Sequence, residues 1–126
     1  MLSVSQKILD KHSGTGRSNV IGVGEWRHLA LALNAAGATV DMTVKVKGSM
    51  SEEEPDFGAN AGEGNEWGYL QCKDLEDSST VNGSTGFVFD QAEIKHAEVN
   101  TNVIRWICIE VTSHTAGRLT ATLITR

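Results

Sequence analysis

Four histidines, His12, His28, His96 and His114, stand singly along the chain, and two cysteines, Cys72 and Cys108, lie far apart. Structural zinc sites draw on closely spaced Cys and His pairs, and helical zinc hydrolases carry H-E-x-x-H. Neither pattern occurs. Carboxylates are denser: "SEEEPD" gathers Glu52, Glu53, Glu54 and Asp56, and "KDLED" gathers Asp74, Glu76 and Asp77. Clustered carboxylate and carbonyl oxygens are what a hard cation such as Ca²⁺ needs. "DLEDSSTVNG" lacks the Gly and the terminal Glu of an EF-hand loop, so these runs read first as solvated acidic surface.

Nucleophilic chemistry finds little support. There is no G-x-S-x-G elbow, no Ser or Thr is flanked by a convincing base, and "GVGEWR" lacks the third glycine and the following helix of a nucleotide loop. A carboxylate pair that meets only in space stays open. Nothing positive points to an enzyme, and no cofactor or metal is expected. Trp26, Trp67 and Trp106 admit two uses. Exposed indoles stack on sugar faces, whereas indoles inside strand patterns fill cores or subunit interfaces, and the strand setting favours the second.

The elements that must position these residues are strands. At 126 residues the chain is one domain's length, with 40% hydrophobic and 21% charged residues, 13 Gly and a single Pro. That mixture, rich in Thr, Val and Ser, favours short strands and many turns. The net charge of -5 comes with no Lys/Arg cluster, which argues against a nucleic-acid partner. No apolar run approaches the about 20 residues of a membrane helix, so no membrane partner is expected. Met1 to Asp10 lacks the basic start and apolar stretch of a secretory signal. A disulfide between Cys72 and Cys108 is open on spacing, but this context favours two buried free thiols and a cytoplasmic site of synthesis.

Along the chain, residues 1–19 read as an N-terminal arm or loop; Leu2 to Leu9 fits a strand or a short helix. Leu29, Leu31 and Leu33 alternate with His28, Ala30 and Ala32. Beyond "NAAGA", Val40, Met42, Val44 and Val46 alternate with a wet face of Asp41, Thr43, Lys45 and Lys47. The pair predicts a β-hairpin from Leu29 to Val46. Residues 49–66 form a long acidic connection, "QAEIKHAEVN" fits one helical turn or an edge strand, and "SHTAG" predicts a turn joining two last strands. About seven to nine strands result, the pattern of a single-domain antiparallel β-sandwich, jelly-roll-like, with short helices or none. In the segment from Val103, both parities are apolar at first: Arg105, Ile107, Ile109 and Val111 on one, Ile104, Trp106 and Cys108 on the other. The second face needs a cover, either a neighbouring copy or the chain's own N-terminal segment.

The series "EWRHLALALN", "VDMTVKVKGSMSEEEPDF", "NEWGYLQCKDLEDSSTVNGSTGFVF" and "EVNTNVIRWICIEVTSHTAGRLTATLIT" resembles a family of small tailed-bacteriophage virion proteins. Asn102-Val103 stand where that pattern has Asn-Gly. The resemblance implies a β-sandwich of the phage particle, made in the host bacterial cytoplasm, by analogy a homo-oligomeric capsid decoration (cement) protein. Its partners would be itself, as a homotrimer, and the phage major capsid protein or other virion proteins. Neck, tail or fibre placement is the alternative, as is a carbohydrate-binding module of a phage adhesin. A small β-domain with a second apolar face covers it with neighbours. The expected interface residues are therefore Trp106, Ile104, Cys108, Trp67 and Trp26, with the acidic loop outside the contact.

Overall fold

A computed structural model describes residues 4–59, 66–100 and 103–126. Among them there are ten strands and no helix: β1 (Val4–His12), β2 (Gly16–Arg17), β3 (Ile21–Gly22), β4 (Leu29–Ser49), β5 (Gly68–Tyr69), β6 (Cys72–Asp74), β7 (Thr80–Val81), β8 (Phe87–Phe89), β9 (Glu93–Val99) and β10 (Trp106–Thr125). Asn102 and the interior of the acidic connection, residues 60–65, lie outside the described residues.

The expected all-β sandwich is present, but it is built from two very long strands. β4 runs 21 residues and β10 runs 20, and they pair antiparallel from Trp106 opposite Ser49 to Thr125 opposite Leu29. Both predicted turns are corrected by this. "NAAGA" and "SHTAG" lie inside continuous strands, so neither the Leu29–Val46 hairpin nor a final hairpin exists. The ribbon bends instead of reversing. Gly37 takes φ +140 and Gly117 φ +102, conformations that side chains resist. Near them Ala116 faces Asp41 while Arg118 faces Ala36, so β4 carries extra residues around the corner. That bulge changes which parity of β4 points inward, from Leu29, Leu31, Leu33 and Ala35 to Val40, Met42, Val44 and Val46.

Each half of the bent ribbon seeds one layer. The first half of β4 and the second half of β10 lie between β9 and β1, with β6 and β7 beyond β9. The other halves carry β8 and β5 on the β4 side and β2 and β3 on the β10 side. Leu31, Leu33, Met42, Phe89, Ile107, Ile109, Leu119 and Leu123 fill the space between, all at 1% exposure or less. Full burial of such side chains stabilises by about 1.5–3 kcal/mol each against exposure. β1 settles the ambiguous N-terminal segment as an edge strand, bulged twice and lined with Lys7, Asp10 and Lys11, which discourages further pairing. β9, left between helical turn and edge strand by its sequence, is an interior strand between β4 and β6.

Candidate interaction site

Over the β10 face that carries Cys108, part of the chain's own acidic connection folds back, from Phe57 to Ala59, together with Trp67. Cys108 is 0% exposed, although it stands outside the main core. Its register partner on β4 is Lys47, which sequence periodicity placed on a wet face and which is 5% exposed. The Lys47 ammonium meets Glu110 Oε1 at 2.9 Å, donates to the Phe57 carbonyl at 3.0 Å and lies 4.2 Å from the Trp67 ring centre. Phe57 is fully buried and tilts against Trp67, whose Nε1 donates to the Ala59 carbonyl at 3.0 Å. Ser49 Oγ donates to the Glu66 carbonyl, closing the far end of the loop onto β4. A buried ammonium is tolerable only when paired and hydrogen-bonded, and here three partners surround it. Lys47 therefore pins the loop over the sheet.

Trp106, at the start of β10, escapes this cover and opens a groove instead. Its Nε1 donates to the Ser51 carbonyl at 3.0 Å. The ring rests on Gly22, where a Cβ would sit 3.4 Å from Cζ3. Val23 N to Arg105 O (2.8 Å) and Arg105 N to Ser49 O (2.8 Å) lock the segments beside it. The groove encloses about 1060 Å³ and is open to solvent. Half-buried Trp26, Ile104 and Trp106 line it, with exposed Arg27, His28 and Arg105. Met50 and Val103 stand on the rim at 61% and 73% exposure. Val103 has φ 62, a left-handed conformation uncommon for any side chain and strained for a β-branched one.

Of the five residues expected at an interface, Trp26, Ile104 and Trp106 come together in the groove. Trp67 sits in the Lys47 cluster, and Cys108 has no surface to offer a neighbour. Sequence reasoning missed the arginines, although a signal existed: Trp26-Arg27 and Arg105-Trp106 are mirrored dipeptides at the two chain segments that meet here. It also missed Lys47, whose setting depends on a loop with no periodicity.

Among the described residues no three His, Cys, Asp or Glu gather as a metal ion requires. The Asp74–Asp77 run is a tight turn: Asp74 Oδ1 accepts from the Glu76 amide, and Asp77 Oδ1 from the Ser79 amide, both at 2.9 Å. The Ser79 hydroxyl and amide hold the Asp77 carboxyl below its usual range. Cys72 and Cys108 are free thiols. Burial pushes Cys72 up to about 12 and Cys108 up to about 11, so neither is a nucleophile at neutral pH.

No family model matches the chain, and no curated protein matches it. Among solved structures it is similar to the SPBc2 prophage-derived protein YomS, at 13% identity and a TM-score of 0.67, over 98% of this chain and 91% of that one. At that identity the likeness establishes a shared fold: the two-layered sandwich of bent strands is an architecture that a prophage-derived chain also adopts.

Proposed function

We propose that the protein is a non-enzymatic structural component of a tailed-bacteriophage particle, in its leading form a capsid decoration protein that assembles as a homotrimer on the head surface. The observation that carries the reading is the end-to-end fold likeness to a prophage-derived protein. The ordered sequence motifs favour the same origin independently. The groove supports an assembly role: it presents half-buried indoles and two exposed apolar side chains, the anchor types enriched at interface cores. The partners are other copies of the chain and the major capsid protein or other virion proteins.

Copy number in purified particles tests this. Hundreds of copies place the protein on the capsid, whereas about six to twelve place it at the neck or tail, since oligomers follow the particle's symmetry. Absence from particles ends the reading. A carbohydrate-binding module is the second reading, favoured by Trp26 and Trp106 sharing one open groove with arginines. Binding on a glycan array that is lost in Trp26→Ala would establish it.

A further inference from the structure

We propose that the groove at Trp26 and Trp106 receives the Leu75–Asp77 turn of a second copy of this chain. This rests on reading the chain as a self-assembling particle protein, and it names the contact that assembly uses.

The groove is cationic on an acidic molecule. The chain carries a net charge of -5, yet the described lining of the groove carries two arginines, Arg27 and Arg105, and one carboxylate, Glu52. Its rim is apolar: Met50 and Val103 are 61% and 73% exposed. Exposed apolar side chains beside half-buried indoles suit a contact outside the chain. The occupant should be an apolar side chain carrying negative charge beside it.

The chain's own surface presents such a segment. Leu75 is 47% exposed and is followed directly by exposed Glu76 and Asp77. Two other large exposed side chains fit less well. Ile94 lies between Glu93 and Lys95, which pair with each other at 3.7 Å, and Tyr69 lies under Lys45. The Leu75 turn is also rigid before binding. Leu75 N donates to His96 O and Ser78 N to Asp74 O, and Asp74 Oδ1 takes the Glu76 amide. A pre-formed turn loses little freedom on docking. Leu75 then packs against the indoles while Glu76 and Asp77 face the arginines. The Leu75 patch adjoins the groove, since His28 lines both, so each copy both gives and receives the contact, and a closed assembly leaves neither patch open.

Sedimentation velocity over a concentration series, on the whole chain, tests this with four proteins: wild type, Arg105→Glu, Glu76→Arg and the double variant. Both positions are exposed, and a thermal melt confirms that each variant folds. The expected result is an oligomeric wild type, single variants that assemble about tenfold more weakly or worse, and a double variant that recovers most of the loss. A wild type that stays monomeric overturns the proposal. So does a Glu76→Arg variant that assembles like wild type, or a double variant no tighter than the weaker single one. Capture of the major capsid protein or of a carboxylated glycan by monomeric wild type, lost in Arg105→Glu, assigns the groove to that occupant and overturns the second-copy contact. Absence from purified particles with the charge swap intact ends the particle reading and leaves this contact standing.

Discussion

Gly37 and Gly117 face each other at the bend of the β4–β10 ribbon: a Cβ on Gly37 would lie 3.4 Å from Gly117 Cα. Both have positive φ, and both sit inside strands that continue beyond them. The two glycines form one hinge, and on it depends the closure of the two layers over the core.

Gly117→Val should therefore be strongly destabilising. A Cβ there would sit 3.0 Å from Met42 Cε and 3.3 Å from Val40 Cα, at a φ of +102 that a β-branched residue resists. Strain of about 1–3 kcal/mol adds to the crowding, and urea melts should show at least that loss. Gly14→Ala, at φ +92 with open space around it, serves as the control for backbone strain without crowding. Equal losses in the two would remove the packing argument.

The Lys47–Glu110 pair predicts strong non-additivity. Lys47→Ala leaves Glu110 without its cation and frees Phe57 O, at a cost of about 2–3 kcal/mol, below the fully buried range because the Glu110 side chain is 22% exposed. Lys47→Met with Glu110→Gln should cost less than the sum of the two single changes. A double-mutant cycle by chemical denaturation measures this, and additive losses would mean the two side chains act independently. Loss of the pin should also expose the 50–59 segment to limited proteolysis.

The two thiols predict an alkaline instability and native-state silence. Their ordinary value of 9.0 is raised on folding to about 12 for Cys72 and about 11 for Cys108. Between those values the native state keeps protons that the unfolded chain gives up. The contribution to stability is therefore intact below pH 9 and is lost as pH climbs through 11 and 12. Cys72→Ser/Cys108→Ser should flatten the alkaline limb of a stability-against-pH curve. Native protein at pH 8 should resist thiol-specific alkylation that denatured protein undergoes at two sites.

Val103→Gly separates stability from assembly. Removing a β-branched side chain from φ 62 should raise the monomer's stability by about 1 kcal/mol, or Tm by about 3 °C. The same change strips an apolar side chain from the groove rim and should weaken self-association. A variant that melts no later than wild type would show that Val103 is not strained in the way its backbone suggests.

Much of this architecture was legible in the residue order. Alternating Leu29, Leu31, Leu33 and Val40, Met42, Val44, Val46 marked buried strand faces, and Ile107, Ile109 and Val111 did the same on β10. Residue types alone thus determined an all-β core, because a period of two buries only one side of a pleated chain. They could not separate a turn from a bend. A glycine among small residues serves both, and the choice at Gly37 and Gly117 is made by the partner strand, which resumes pairing on the far side of the bulge that holds them. Likewise Lys47 reads as a solvated lysine from its neighbours in sequence. Only a loop returning from Phe57 and Trp67 encloses it, and that return is a long-range event with no local periodicity. The groove has the same origin: Trp26 and Trp106 are distant in the chain, and the pairing of β3 with β10 brings them to one surface. Sequence determined which faces must leave water, and tertiary structure decided which part of the chain covers each of them.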